Sequence, residues 1–173
     1  VNDSNNGTTS ITNSSFEGNV SAGPGGAVYT NNGTFVTNSN FKSNATDDSG
    51  GAIFSTGATF LTIEGSTFES NLAMDGGAIY GGGEPAGGGT KMAGATLYVN
   101  NSTFVENSAP NAAAISLSEG SVIRNSTFWN NKASVATSGT LDGGFADFFG
   151  NILANDDASR VIGDGGSVGD LGA

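Results

Sequence analysis

Apolar residues recur along this chain in fixed columns that return about every 25 residues, a far longer interval than the turn of a helix. An aliphatic residue stands at Ile11, Val36, Ile63, Val99 and Ile123, and three positions later comes a serine, at Ser14, Ser39, Ser66, Ser102 and Ser126. Two positions further is a phenylalanine, at Phe16, Phe41, Phe68, Phe104 and Phe128, and three beyond that an asparagine, at Asn19, Asn44, Asn71, Asn107 and Asn131. In a strand alternate side chains share a face, so Ser and Phe two apart are expected to point together into a narrow interior. The aliphatic column has the opposite parity. It points inward only if the backbone bends before the serine, which puts it on a separate short strand with Thr9, Thr34, Leu61 and Leu97 two residues earlier. A third segment, Gly-Gly-Ala-aliphatic-aromatic, runs from Gly25 to Tyr29, Gly50 to Phe54 and Gly76 to Tyr80, and survives in worn form at Ala112 to Ile115, with Val28, Ile53, Ile79 and Ile115 as its inward residues.

Three short strands and three corners make one coil, and repeats of this length mark a solenoid in which each unit buries its apolar face against its neighbours. The expected fold is all-β, a single right-handed parallel β-helix of about six coils. Like residues then stack at the strand spacing of about 4.8 Å. The phenylalanines form an aromatic spine, the asparagines a corner ladder that both donates and accepts, and the glycine pairs a sharp turn. The phenylalanine steps are 25, 27, 36 and 24 residues. The long step places the Gly-rich stretch 81–94 in a loop inserted into the β-helix of residues 1–155. Phe149, Ile152 and Asn155 read as worn members of one further coil, and residues 156–173 as a loose terminal coil or a linker.

Composition narrows the chemistry. The 173 residues include 29 Gly and 20 Asn, too much turn-forming material for helices. With 5 Lys plus Arg against 16 Asp plus Glu, the net charge is −11, which repels a phosphate backbone and makes nucleic acid an unexpected partner. Cys and His are both absent, which removes thiolates, disulfides, imidazole bases and the usual zinc ligands. No stretch is long and apolar enough for a membrane span. The chain opens at Val1 without a signal-like segment, which reads as a mature or internal portion of a longer protein.

The paired Gly-Gly-Ala-Ile and Phe-x-x-Asn repeats, over about residues 11 to 131, resemble those of the chlamydial polymorphic outer-membrane protein family. That resemblance implies a passenger region built as a right-handed parallel β-helix, displayed at the cell surface and involved in adhesion. The chain departs from the family in having no Cys and no membrane β-barrel, so the resemblance carries no anchoring residues.

Candidate chemistry is sparse. Asp47, Asp48 and Asp75 lie in turns of adjacent coils and would be the residues to hold a hard cation or to act as an acid–base pair on a glycosidic bond. The bland reading, solvated turn residues, fits them better, since Arg124 and Arg160 lie far away in the stack. Gly-Asp-Gly-Gly-Ser-Val-Gly-Asp-Leu near the C-terminus is similar to a calcium-binding nonapeptide but occurs once and lacks the spacing. Nine Asn-x-Ser/Thr sequons, at Asn2, Asn6, Asn13, Asn19, Asn32, Asn44, Asn100, Asn101 and Asn125, are candidate glycosylation acceptors. The expected function is therefore that of a non-catalytic extracellular structural or adhesive module, part of a larger surface protein or a filament, with no cofactor. The alternative is a carbohydrate-active enzyme or polysaccharide-binding domain using the acidic turns. Neither terminal stretch has the apolar periodicity of a cap, so the expected partners are further coils of the same parent chain or identical subunits stacked end to end, together with cell-surface glycans or proteins.

Overall fold

A computed structural model describes residues 2–3, 7–57, 59–82, 94–116, 118, 120–134, 139–143 and 145–154. Among the described residues every pairing of strands is parallel, and the strands stack into three six-stranded sheets and two two-stranded ones. There is no helix among the described residues, and hence none long and apolar enough to cross a membrane, a statement that does not bear on β-barrels. One coil shows the plan. Val28–Thr30 lies in sheet A, Gly33–Thr37 in sheet B and Asn40–Lys42 in sheet C, after which Ala45–Thr46 makes a short fourth pairing with Val20–Ser21. The sequence pattern does not foresee that fourth side. It continues as bridges from Ala45 to Leu72 and from Leu72 to Ser108.

The register places like on like. Phe16, Phe41, Phe68, Phe104 and Phe128 face one another across sheet C, with ring centroids 4.8–4.9 Å apart and planes within 7°. Ile11, Val36, Ile63, Val99 and Ile123 align in sheet B, and Val28, Ile53, Ile79 and Ile115 in sheet A. These columns meet in one continuous buried core.

The bends from sheet B to sheet C, out of sheet C and into sheet A are made by left-handed residues, whereas the turn from sheet A to sheet B at Asn31 and Asn32 has none. Between sheets B and C the residue is Asn13, Asn38, Gly65, Asn101, Asn125 or Gly150, and after sheet C it is Gly18, Ser43, Ser70, Glu106 or Asn130. The short polar side chain of Asn tolerates this conformation better than most. Before sheet A the residue is Gly25, Gly50 or Gly76, replaced in the next coil by Ala112 at φ 48°. The second glycine of each pair answers a different need. A Cβ on Gly51 would collide with the carbonyl oxygen of Gly77 in the next coil, and one on Gly77 with that of Ala113.

The serines stand in the corner just after the left-handed residue, and Ser39, Ser66, Ser102 and Ser126 are buried like the phenylalanines two residues on, as alternation requires. One expectation needs correction. The terminal coil is in a different register. Phe148 aligns with Ile123, Asn151 serves as the corner residue and Leu153 takes the phenylalanine position, while Phe149 and Ile152 are each 61% exposed. The inserted stretch is tied at both ends, by the Gly81 N–H donating to Ser116 O at 2.8 Å and by an antiparallel bridge of Gly94 to Thr56. Residues 83–93, Asn155 and 156–173, with Arg160 and the nonapeptide-like stretch, lie outside the described residues.

Candidate functional site

The most regular side chains are committed to the scaffold. Along the asparagine column, Oδ1 of Asn44, Asn71, Asn107 and Asn131 accepts the backbone N–H of the asparagine one coil earlier at 3.0–3.1 Å and its Nδ2 at 2.8–3.0 Å. Each Nδ2 also donates to the carbonyl of the phenylalanine in the coil before, at 3.0 Å. Both amide hydrogens and the carbonyl oxygen are thereby satisfied inside the wall. Serine makes a second ladder. From Ser14 to Ser102, each backbone N–H donates to the hydroxyl of the next serine at 3.1–3.2 Å, and each hydroxyl donates to the carbonyl two residues back.

The acidic turns do not converge into a reaction centre. Asp47 and Asp48 are exposed, and Asp75 is half-buried and in register with Ser49 and Asn111, not with either of them. Among the described residues no group of three or more His, Cys, Asp or Glu could hold a metal ion. Charges meet instead on the outer face of sheet C, where Lys42 stands between Glu17 and Glu69 in register. Lys42 Nζ donates to Glu69 Oε1 at 2.8 Å. That hydrogen bond and the attraction of Glu69, helped by Glu17 and Glu106, raise the lysine's pKa. On sheet B, Arg124 pairs with Asp147.

Burial divides the sequons. Asn44 is fully buried with its Nδ2 bonded to Phe16 O and Asn71 Oδ1, and Asn32 is also buried, so neither is an accessible acceptor in the folded chain. Asn13, Asn19, Asn101 and Asn125 are exposed and Asn100 is half-buried. The side chain of Asn2, and Asn6 altogether, lie outside the described residues. Asn13, Asn101 and Asn125 are three of the left-handed corner residues, each followed by the ladder serine and then by an outward Ser15, Thr103 or Thr127. The fold itself therefore writes those three sequons.

Sequence reasoning missed an aromatic strip on the outside of sheet B. The outward column there reads Ser10, Phe35, Thr62, Tyr98, Val122 and Asp147. Phe35 is 42% and Tyr98 46% exposed. Half-buried Phe60 sits diagonally between them, tilted 57° against Phe35 with centroids 5.0 Å apart, and its ring occupies the space a Cβ on Gly33 would need. On one side of the strip Glu64 accepts hydrogen bonds from Asn100 Nδ2 at 3.0 and 3.2 Å and from Asn101 Nδ2 at 3.3 Å. The signal was available in the strand parity, which marks Phe35 and Tyr98 as outward.

The class defined by these features is a parallel β-solenoid whose coils are joined by polar ladders. Its repeats match the Chlamydia polymorphic membrane protein (Chlamydia_PMP) repeat at residues 13–31 and 65–82. Each matched stretch runs from a left-handed corner through Phe-x-x-Asn to the Gly-Gly-Ala-aliphatic-aromatic strand of the next coil, so both cover the same structural unit in different coils. No curated protein and no solved structure matches the chain.

Proposed function

We propose that the chain is a non-catalytic module of a larger protein displayed at the cell surface, structural or adhesive in role. The observation that carries this reading is the family match at two equivalent coils, supported by a fold that spends its most regular residues on the wall and core. A stack of such coils is a rigid rod with long polar faces, suited to holding a binding surface away from a membrane. The exposure of Asp47 and Asp48 and the alignment of Asp75 with Ser49 and Asn111 favour this reading over an enzyme acting on polysaccharide. The test is accessibility on intact source cells. An antibody to this chain is expected to label unpermeabilised cells, and external protease to remove the label; labelling only after permeabilisation overturns the proposal. In parallel, pectin and related acidic polysaccharides should show no turnover with the purified chain. Turnover that Asp48→Asn abolishes would establish the enzymatic reading in its place.

A further inference from the structure

We propose that the aromatic strip of Phe35, Phe60 and Tyr98 is a binding platform for an uncharged, extended polysaccharide of β-linked pyranose units running along the solenoid axis. The proposal gives the adhesive reading a ligand class but rests only on the geometry of sheet B.

The strip crosses three successive coils on the outer face of sheet B, with Phe35 and Phe60 in contact and Tyr98 one coil beyond Thr62, and none of its rings belongs to the core cluster. Its exposed rings stand where the same column elsewhere carries Ser10 and Thr62, so the fold works at these positions with small polar residues. Phe35 is held by the tilted ring of Phe60, which limits the side-chain entropy lost on binding. A pyranose offers an apolar face of C–H groups and a rim of hydroxyls. Aromatic rings suit the face, while the Glu64 carboxylate and the Asn100 amide flank the strip where the rim would fall. Phe35 and Tyr98 are two coils apart, about 10 Å at the strand spacing. In an extended β-linked chain, every second sugar turns the same face to a surface at a similar interval.

Charge selects the ligand. Stacked aromatics also bind single-stranded nucleic acid, but such sites pair the rings with a positive groove. Here the neighbours are Glu64 and an Arg124 already paired with Asp147, on a chain of net charge −11. Nucleic acids and acidic polysaccharides are repelled, and a neutral glycan is not.

Affinity electrophoresis through gels containing a neutral β-glucan, polygalacturonate or single-stranded DNA tests this. Retardation is expected in the neutral glucan alone. The double variant Phe35→Thr/Tyr98→Thr should weaken it about tenfold or more, by analogy with stacked bases. Trp129→Thr, removing an exposed aromatic from sheet C, should leave it unchanged. Thermal melts of both variants check that they remain folded. If the double variant does not fold, Tyr98→Thr alone carries the test. Mobility unaffected by every polymer overturns the proposal, as does retardation that survives loss of both rings. If neutral glucan has no effect and the intact chain self-associates through these rings, the strip is a protein contact and the proposal fails. None of these outcomes bears on whether the chain is displayed at a cell surface, which the labelling experiment decides separately.

Discussion

A single asparagine such as Asn71 does the work of a backbone strand at a place where the backbone turns away. Its Oδ1 takes two hydrogen bonds from Asn44, and its Nδ2 gives one to Phe41 O and one to Asn107 Oδ1, all in a buried corner. Asn71→Ala leaves the backbone N–H and one amide hydrogen of Asn44 without their acceptor and Phe41 O without the amide donor, each costing about 1–3 kcal/mol when buried. We expect a total loss of at least about 3 kcal/mol. Asn19→Ala, at an exposed position of the same column, should cost under about 1 kcal/mol. Urea midpoints of the two variants measure the difference, and equal losses would show that the ladder does not stabilise the interior coils. Neighbouring columns adjust to each other residue by residue as well. Thr30 and Thr34 share a hydroxyl hydrogen bond of 2.9 Å; one coil on, the same two positions are Ser55 and Leu61, and then Gly81 and Leu97. Side-chain size falls in one column as apolar bulk rises in the other, and Ser55 Oγ is left buried without a partner.

The strands, of two to five residues each, are too short to stand alone and hold only as members of a stack. Phe68 shows what the stack supplies: it is fully buried between the rings of Phe41 and Phe104, 4.8 and 4.9 Å away. Phe68→Ala is expected to cost about 3–5 kcal/mol, the range for truncating a core aromatic. Thr67→Ala, one residue away on the outer face, should stay within about 0.5 kcal/mol. Denaturant melts of the pair decide it, and equal effects would contradict the alternation seen in sheet C. The fold was legible in the sequence at this scale because a parallel stack puts identical residues on top of one another, so the coil length is written directly as a sequence period. The serine column was legible for the same reason, since serine and phenylalanine both follow the left-handed corner and alternation between them holds. Registration of the last coil failed because its residues depart from the repeat. With Leu153 and Asn151 in place of the usual Phe and Ser, Phe149 was the conspicuous residue, yet it lies on the outer face. The aromatic strip escaped notice because it belongs to no repeat, and a reading built on recurrence passes over residues that occur once.

At the scale of the whole molecule, the bonds from backbone N–H to ladder side chains share one direction. The backbone N–H of Ser14, Asn19 and Gly25 donates toward the following coil, as do Ser39, Asn44 and Gly50 after them. Other bonds run back, from the N–H of Asn40, Ala45 and Thr67 to the carbonyls of Ser14, Asn19 and Ser39, so both faces of a coil carry donors and acceptors, and the ladders continue only where the next coil is laid parallel and in the same order. Association that continues the ladders is consequently expected to be head to tail. Such a heterologous contact does not close after two copies, so it continues as a fibre, and it is the same contact by which further coils of a parent chain would extend the rod. We expect the purified chain to associate in this way. Light scattering across a concentration series should show mass rising without a plateau at the dimer, and electron microscopy should show rods about one coil wide. A chain that remains monomeric and fully folded at high concentration would overturn the expectation. A discrete two-fold dimer would overturn it as well, since pairing like ends would not continue the ladders.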